Sequence, residues 1–349
     1  MLKMGIKNLF KIISEHSPDS ITEKGLKELK GKVIVLDASM IIYQFVIAIR
    51  STGADLENTE GKMTTHILGV INKALLLLKN DIIPIFVFDG RAPDMKSEVL
   101  KSRKEVKKKC IQKLKDDNYE NEDDRIKDFK KSYTISREQS DEVKHILKLF
   151  GIPVVESSTE ADPLCAELVK QKIAYGVGSE DMDILTFGSP ILLRGLSATK
   201  KMKEIKLEKV LSDLKLNHDE FIDLCILLGC DYTTTIPKVG PKRALDIIQK
   251  HKSIEKFIES EGNKYKIPEN FNYKDAREIF KNPPVQKLDK RSIKLKKPNY
   301  NGIKEIMVDI YDFNLNKVNE YINKIKTNYI RISNTQKGGM TRYVLNPSI

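Results

Sequence analysis

Cysteine is scarce in this chain, and long apolar runs are absent from it. The four cysteines stand apart at positions 110, 165, 225 and 230, and no two of them form a CxxC pair. We therefore expect neither a zinc site nor a disulfide framework, and a reducing compartment fits best. The apolar run at 74–78 stops at Lys79, and no stretch approaches the roughly 18 residues of a membrane span. The N-terminal residues lack the apolar core of a signal peptide, so we expect a protein that is neither secreted nor membrane-spanning.

Basic residues outnumber acidic ones. The chain has 61 Lys and Arg against 49 Asp and Glu, which gives a formal net charge of +12. This balance favours a polyanionic partner, such as nucleic acid or an anionic membrane surface, without choosing between them. At about 150 residues per domain, the length suggests two domains or one large domain with insertions. The hydrophobic content of 40% is sufficient for a core at this size.

Short apolar runs that end near a carboxylate recur along the chain, with helical patterns between them. The runs 33–36 and 82–88 end at Asp37 and Asp89, and the run 175–179 leads into a third acidic cluster. Helical periodicity covers residues 64–79 and 137–150. This alternation predicts an α/β fold with a buried, mostly parallel sheet and helices on both faces. Because ligand sites lie at the carboxyl ends of such strands, we expect the acids to converge on one crevice.

Seven carboxylates are candidate metal ligands: Asp37, Asp89, Glu160, Asp162, Asp181, Asp183 and Asp231. Acids gathered in one cleft repel each other unless cations neutralise them, and hard oxygen ligands suit Mg²⁺ or Mn²⁺. Two such ions about 4 Å apart would activate water and stabilise the leaving oxygen in phosphodiester hydrolysis. A single Asp after a strand is more often a helix cap or a loop residue. The recurrence at successive strand ends is what favours a metal centre.

Charged segments interrupt the alternating pattern. Residues 96–109 hold seven Lys or Arg and two acids, and residues 116–124 hold six acids and no base. We interpret residues 96–109 as a basic helix and residues 116–124 as an exposed acidic turn, which leads to a second helix at about 125–131. Residues 286–304 hold seven basic residues and one acid, which indicates a basic linker or loop. From residue 334 onward periodicity is lost, and a tail is expected.

At this point the motifs resemble those of the flap endonucleases, the structure-specific 5′ nucleases of DNA replication and repair. The resemblance rests on Met4-Gly-Ile-Lys-Asn-Leu, Asp37-Ala-Ser-Met-Ile-Ile-Tyr43-Gln-Phe, Phe86-Val-Phe-Asp89-Gly, Glu160-Ala-Asp162, Glu180-Asp181-Met-Asp183 and Leu-Leu-Gly-Cys-Asp231-Tyr. It runs in order from about residue 4 to about residue 282 and weakens beyond that point.

The resemblance implies a PIN-like α/β nuclease fold and a division of the chain. The implied parts are an N-terminal nuclease region (4–110), a helical arch (94–135), an internal nuclease region (136–282) with a helix-two-turn-helix motif at about 231–251, and a basic segment with a C-terminal helix and tail (283–349). It also implies a two-metal centre. Asp37, Asp89, Glu160 and Asp162 would lie near one ion, and Asp181, Asp183 and Asp231 near the other, some acting through water. Hydrolysis would leave a 5′-phosphate and a 3′-hydroxyl.

Three further side chains acquire roles from this resemblance. Lys96 and Arg103 match basic residues at the base of the family's arch, and their spacing of seven puts them on one helix face. There they would neutralise the scissile phosphate as charge develops. The alternative is a solvated basic helix, which is our interpretation of most of 104–109. Tyr43 could stack on a base beside the scissile bond, although a Tyr in such an apolar helix is more often a core residue.

The stretch Ile236-Pro-Lys238-Val239-Gly240-Pro-Lys242-Arg243 resembles the family's helix-two-turn-helix. Gly240 would allow close backbone approach, amides at the following helix start can bind phosphate, and the basic side chains would add charge. The family also binds K⁺ here through main-chain oxygens. The residues that match those K⁺ ligands are Thr235, Ile236 and Val239.

The sequence departs from the family at several positions. Three residues precede Met4, whereas the family exposes the amine of the glycine that matches Gly5, and Pro163 stands where a small residue is usual. Residues 336–344 resemble a sliding-clamp peptide only loosely, because the spacing and the second aromatic residue do not fit. We expect a monomer that acts on branched DNA with a 5′ flap, in the nucleus if the source is a eukaryotic cell and otherwise in the cytoplasm, for example at a viral replication site.

Other functions stay open on the sequence alone. A relative that performs mainly 5′ exonucleolysis or cuts other junctions is the nearest alternative, although the long arch segment favours threading of a 5′ single strand. A non-catalytic DNA-binding scaffold would keep the fold, but the retention of all seven acids argues against it. A metal enzyme acting on a small phosphate is disfavoured by the basic DNA-binding turn.

Overall fold

The computed structural model describes residues 5–51, 56–90, 98–116, 119, 121–288 and 293–337, except for the side chains of 98–104 and 335–337. A sheet of seven strands lies at the centre of this part of the chain. The strands are β1 (Ile21–Lys24), β2 (Val33–Asp37), β3 (Ile83–Phe88), β4 (Val154–Glu156), β5 (Gly176–Gly178), β6 (Ile191–Arg194) and β7 (Met202–Lys206). Their order across the sheet is β1-β7-β6-β5-β2-β3-β4.

The five strands from β6 to β4 are parallel, and β1 and β7 are antiparallel additions at the other edge. The predicted α/β fold with a mainly parallel sheet is therefore confirmed. The register places Asp37 opposite Val87, so that Asp89 follows two residues beyond the level of Asp37. Parallel pairing thus brings the carboxyl ends of β2, β3, β4 and β5 to the same edge of the sheet.

Helices cover both faces of this sheet. Their bounds are α1 (Leu9–His16), α2 (Ala38–Arg50), α3 (Thr65–Lys79), α4 (Glu98–Asp116), α5 (Glu122–Ser132), α6 (Arg137–Leu149), α7 (Ala161–Lys170), α8 (Asp183–Thr186), α9 (Leu207–Leu214), α10 (His218–Leu228), α11 (Pro241–His251), α12 (Ile254–Glu261), α13 (Tyr273–Lys281), α14 (Tyr300–Lys304) and α15 (Leu315–Lys337). Short 3₁₀ turns lie at Pro18–Ser20, Leu26–Leu29 and Gly262–Lys264, and a π-helical turn lies at Glu305–Ile310. No helix of the described residues is long and apolar enough to cross a membrane.

Alternate residues of the central strands face two separate apolar layers. Val35 belongs to a layer shared with α1, α7 and α10. Its neighbours Ile34 and Leu36 belong to a second layer shared with α2, α3, α6 and α15. Side chains of a strand point alternately to the two faces, and both faces of this sheet are covered. This is why the strands are continuous apolar runs in the sequence.

The helices predicted at 64–79 and 137–150 correspond to α3 and α6. The second arch helix, expected at about 125–131, instead begins at Glu122. The Asn121 side chain accepts a hydrogen bond from the amide of Asp124 at 2.9 Å and caps the helix. Three acids fill its first turn, where they interact favourably with the helix dipole. Part of the predicted acidic turn is therefore helical.

The C-terminal segment is attached to the core. The amides of Lys296 and Asn299 donate to the carbonyls of Gly151 and Leu149, each at 2.8 Å. The loop interpretation of 286–304 holds for its irregular part, but α14 begins within it at Tyr300. The predicted start of the tail at residue 334 is wrong, because α15 continues to Lys337. Residues 338–349, which include most of the clamp-like stretch, lie outside the described residues.

Candidate active site

Asp37 and Asp89 stand at the ends of two neighbouring parallel strands. Asp37 is the last residue of β2 and caps α2, where its Oδ1 accepts the Met40 amide at 3.2 Å. Asp89 follows β3 and joins two other segments. Its Oδ1 accepts the Ala161 amide at 2.8 Å, and its Oδ2 accepts the Ser39 hydroxyl at 2.7 Å. The capping role that we weighed against metal ligation is thus real for Asp37, and it fixes the carboxylate at the edge of the crevice.

Glu160 and Asp162 come from the loop after β4 and the first turn of α7. Glu160 occupies the N-cap position of α7, and its Oε2 accepts a hydrogen bond from the hydroxyl of Tyr232 at 2.7 Å. Because Tyr232 directly follows Asp231, this bond joins two of the acidic motifs. Pro163 is buried in the first turn of α7, where proline is tolerated.

Asp181 and Asp183 follow β5 and are both buried. The amide of Asp183 donates to Asp181 Oδ1 at 2.9 Å, and the amide of Asp181 donates to Ser179 Oγ at 3.0 Å. Gly5 lies against this pair with a φ of +75°. A Cβ on Gly5 would lie 1.8 Å from Asp181 Oδ1 and 2.9 Å from Asp183 Oδ1. The N-terminal backbone therefore covers these carboxylates, and only glycine fits there.

The negative charges of these acids act on one another. Burial, followed by the charge of Asp89, raises the pKa of the Asp37 carboxyl to about 8, and Asp181 contributes further. Burial raises the pKa of Asp162 well above its ordinary value, and the charges of Asp181 and Asp37 add to that rise. The pKa of Asp183 is also well above its ordinary value, first through burial and then through the charges of Asp181 and Asp231. The predicted convergence of the acids is what produces this mutual repulsion.

The chemistry of this cluster fits a divalent cation. Oδ1 of Asp162 and Oδ1 of Asp183 are buried and have no hydrogen-bond donor, an arrangement that costs free energy unless a cation or a proton is supplied. As they stand, no three His, Cys, Asp or Glu side chains of the described residues form a group that could hold an ion. The assignment of individual ligands stays a prediction.

Tyr43 lies beside the arch. Its hydroxyl donates to the carbonyl of Lys130 in α5 at 2.7 Å, and its ring centroid is 6.3 Å from that of Tyr133. The ring is half-buried and does not belong to either apolar layer. These contacts do not test base stacking, which stays a prediction.

Of the two predicted arch bases, Lys96 lies outside the described residues. Arg103 is part of α4, but its side chain is outside the described part of the structure. Their roles stay predictions. The arch itself consists of α4 packed on α5. Asp128 of α5 is buried between them, where it accepts a hydrogen bond from the hydroxyl of Tyr119 at 3.3 Å.

The predicted DNA-binding turn leads from α10 into α11. Gly240 is the N-cap residue of α11, with Pro241 at the first helical position. A Cβ on Gly240 would meet no atom of the chain within 4 Å, so the space in front of this backbone is open. Lys238, Lys242 and Arg243 are exposed around it. This arrangement suits a phosphate at a helix N-terminus.

The predicted potassium ligands lie in the same turn. The amide of Val239 donates to the carbonyl of Ile236 at 3.2 Å. Ile236 is fully buried, whereas Thr235 and Val239 are partly exposed. Nothing in these contacts tests K⁺ binding, which stays a prediction.

Sequence reasoning did not single out Tyr232, Ser39 or Ser157 as site residues. Ser157 accepts and donates within the loop that carries Glu160: its hydroxyl donates to the Glu160 carbonyl at 2.8 Å. Tyr232 stands inside the quoted motif around Asp231, which is a usable signal. The two serines have no such signal, because their roles come from contacts made only in the folded chain.

Comparison with known proteins agrees with this architecture. The XPG N-terminal domain model matches residues 4–110, and the XPG I-region model matches residues 151–231. Flap endonuclease 1 of Heterostelium pallidum is 43% identical over 331 residues, which cover 93% of this chain and 85% of the relative. The structure of flap endonuclease-1 from Methanococcus jannaschii is 27% identical, with a TM-score of 0.68, and the match covers 90% of this chain and 97% of that one. The catalytic core of Rad2 in complex with a DNA substrate is 22% identical, with a TM-score of 0.71 over 92% of this chain and all of the other, and it shows the fold alone.

The acidic crevice at the strand ends and these matches define a nuclease of the XPG type, a hydrolase, which confirms the predicted PIN-like fold. Within that class, this chain belongs to the flap endonuclease 1 family.

Proposed function

We propose that this chain is a Mg²⁺-dependent, structure-specific 5′ flap endonuclease with 5′–3′ exonuclease activity, which acts on branched DNA in replication and repair. The observation that carries the proposal is the convergence of buried acids from several strand ends, including two carboxylate oxygens with no donor. Membership of the flap endonuclease 1 family supports the activity. The catalytic core of Rad2 has been solved with a DNA substrate, which supports DNA as the partner.

Two ions would be held by the seven acids. Asp37, Asp89, Glu160 and Asp162 would hold one ion, and Asp181, Asp183 and Asp231 the other, with Mn²⁺ as a substitute for Mg²⁺. When bound, such a pair supplies an activated water and stabilises the leaving oxygen. The products would carry a 5′-phosphate and a 3′-hydroxyl.

The chain's own residues orient this chemistry. The Ala161 amide holds Asp89, and the Tyr232 hydroxyl holds Glu160, so that neither carboxylate rotates freely. Hydrogen bonds of this kind to metal-binding carboxylates set their orientation. Gly5 and the burial of Asp181 exclude water from one side of the crevice.

DNA would contact three other parts of the molecule. Lys238, Lys242 and Arg243 would bind duplex phosphates without reading sequence, because side-chain contacts to the backbone carry no base information. Lys96 and Arg103 would neutralise the scissile phosphate from the arch. Tyr43 would exchange its bond to the Lys130 carbonyl for stacking on a base. A K⁺ ion on the main-chain oxygens of residues 235, 236 and 239 belongs to the proposal, and comparing affinity in K⁺ and Na⁺ tests it.

The cellular setting is part of the same proposal. Nuclear action in a eukaryotic cell, or action at a cytoplasmic viral replication site, fits a monomeric replication nuclease. Sliding-clamp binding has weak support, because residues 336–344 match a clamp peptide poorly.

The decisive experiment compares labelled 5′-flap, nicked and blunt duplexes under single-turnover conditions, with Mg²⁺ or with EDTA. We expect cleavage at the flap junction in Mg²⁺, none in EDTA, and weak cutting of blunt ends. The Asp181→Ala variant should lose nearly all cleavage and still bind the flap, because it removes a ligand and not a fold element. Unchanged turnover of this variant in saturating Mg²⁺ would remove Asp181 from the two-metal assignment. Preferential cutting of blunt ends would instead favour the exonuclease alternative.

A further inference from the structure

A glutamine from the C-terminal part of the chain contacts the loop at residues 156–159, which leads directly to two of the site's acids. Gln286 Oε1 accepts the Ser158 amide at 2.8 Å, and its Nε2 donates to the carbonyl of Glu156. Just before it, the carbonyl of Pro284 accepts the hydroxyls of Ser158 at 3.1 Å and Thr159 at 3.4 Å. Four hydrogen bonds therefore join residues 284–286 to residues 156–159.

The position of β4 explains why these contacts are needed. β4 is the last strand at one edge of the sheet, and its inner neighbour is β3. An edge strand has outward N–H and C=O groups without a partner strand. The primary amide of Gln286 pairs with the C=O of Glu156 and with the N–H of Ser158, as a neighbouring strand would. Val285 and Leu288 pack on an apolar layer and fix the segment that presents Gln286.

The inner side of the same loop is held by the segment that carries Asp89. The Gly90 amide donates to the Thr159 carbonyl at 2.7 Å, and the Ser157 amide donates to the Phe88 carbonyl at 2.8 Å. A Cβ on Gly90 would lie 2.0 Å from the Ser157 carbonyl oxygen, so the two backbones touch. The loop therefore lies between Asp89's segment on one side and Gln286 on the other.

From this arrangement we propose that Gln286 is a positioning residue for the acids Glu160 and Asp162, which directly follow the loop. Its amide holds the loop against Asp89's segment, so that the carboxylates of Asp89, Glu160 and Asp162 reach the same ion. The inference rests on the proposed function for the presence of that ion. The hydrogen bonds themselves join only residues of this chain and can be tested without the ion.

The test compares Gln286→Ala with Asn282→Ala in the full chain. Asn282 is a matched control, because it lies four residues earlier and its side-chain amide donates to Glu278 Oε1 on α13, at 2.8 Å, and not to the loop that precedes Glu160. Three measurements are made: hydrogen exchange of peptides spanning 156–162 without metal, Mn²⁺ binding followed by the EPR signal of the free ion, and steady-state cleavage of flap DNA against Mg²⁺ concentration.

For Gln286→Ala we expect faster exchange of the loop, Mn²⁺ binding weaker by about tenfold, and a lower kcat with an unchanged KM for DNA. A KM effect is not expected, because the basic turn at 238–243 is untouched. Asn282→Ala should match the wild type throughout. If Gln286→Ala fails to fold, Gln286→Glu replaces it; this variant keeps the acceptor for Ser158 and loses the donor, and a smaller weakening is expected.

Two outcomes overturn the proposal. One is unchanged exchange of the loop, and the other is faster exchange with unchanged Mn²⁺ affinity, which would make Gln286 a stabilising residue only. If the wild type binds Mn²⁺ and cleaves no branched DNA, the proposed function fails. Weaker Mn²⁺ binding in Gln286→Ala would still support the positioning role in that case.

Discussion

The hydroxyl of Tyr232 donates a hydrogen bond to Oε2 of Glu160, 72 positions earlier in the chain, at 2.7 Å. Tyr232 is largely buried, and burial followed by the charge of Glu160 raises the pKa of its phenol. The tyrosine therefore stays neutral and keeps its proton for the carboxylate. The bond joins the acid after β4 to the motif that contains Asp231.

Removing this hydroxyl should impair catalysis more than folding. In Tyr232→Phe the ring still packs edge-on against Phe280, at 5.1 Å between centroids, so stability should change by only about 1 kcal/mol. Glu160 loses its donor, and activity or metal affinity should fall by about 10-fold to 100-fold. Flap cleavage against Mg²⁺ concentration and urea unfolding measure the two effects. A large loss of stability with normal cleavage at saturating Mg²⁺ would contradict this role.

A methyl group on Gly5 should disturb Asp181 and Asp183 directly. In Gly5→Ala the new Cβ would lie 1.8 Å from Asp181 Oδ1, so the carboxylate must move. Because displacements of about 1 Å near the chemistry can cost 10²-fold in rate, we expect a loss of this order in single-turnover cleavage.

The control for Gly5→Ala is Gly61→Ala. Gly61 has a φ of +76°, close to the +75° of Gly5, but a Cβ there would meet nothing within 4 Å. It reproduces the backbone strain, of order 1 kcal/mol, without the clash. Equal activity of the two variants would mean that the clash at Gly5 is relieved without consequence.

Lys242 and Arg243 should account for part of the salt dependence of duplex binding. At about 0.9 per phosphate contact, replacing both with Ala should reduce the slope of log K against log salt by up to about 1.8. Anisotropy titrations of a labelled flap at several salt concentrations measure this slope. The control is Lys317→Ala with Lys324→Ala, an equal charge loss on α15, where both lysines pair with Glu320. An unchanged slope and affinity would show that the pair does not touch DNA.

The arch formed by α4 and α5 should require the 5′ strand to thread beneath it. Streptavidin bound to a 5′-biotin on the flap before the enzyme is added should block entry. Streptavidin added after complex formation in Ca²⁺ should trap the strand. Ca²⁺ permits binding without efficient chemistry, because its coordination is looser than that of Mg²⁺. Excess Mg²⁺ should then release product only from the pre-threaded sample, and equal cleavage in both orders would mean that the strand enters from the side.

Arg277 should be the main electrostatic support of the helices around the DNA-binding turn. Its guanidinium donates to both oxygens of Asp223 at 2.7 and 2.8 Å and to both oxygens of Glu255 at 2.7 and 2.8 Å. Asp223 is buried, so Arg277→Ala leaves a buried charge and should cost about 3–5 kcal/mol in the free energy of unfolding. Lys281→Ala, which breaks an exposed pair with Asp219, should cost at most about 1 kcal/mol.

The cost of Arg277→Ala should shrink as the pH is lowered. Burial already raises the pKa of Asp223. Once the arginine is gone, protonation of this carboxyl removes the unpaired charge from the folded state. Urea unfolding at a series of pH values measures the trend, and a cost that grows toward low pH would contradict it.

The sequence predicted the parts of the site that depend on local patterns. The strand ends at Asp37 and Asp89 follow from continuous apolar runs, and α3 and α6 follow from their periodicity. The start of α5 could have been placed correctly, because Asn121 is a strong N-cap before three acids. By contrast, the bond from Tyr43 to the Lys130 carbonyl joins residues that are 87 positions apart. The contact of Gln286 with the loop after β4 joins residues that are at least 128 positions apart. No periodic signal reports such contacts, since they depend on how the elements pack.

The attachment of Lys296 and Asn299 to the end of α6 bears on which fragments of this chain can fold. α14, α15 and the turn between them bury Ile303, Met307 and Ile325 against the layer that contains α3. The side chain of Arg331 donates to Asp81 at 2.6 Å and to the Leu78 carbonyl at 2.8 Å. A protein shortened after residue 282 would retain every candidate metal ligand and yet leave this face of α3 open to solvent. The smallest soluble fragment should therefore extend through α15, well past the last residue matched by the family models.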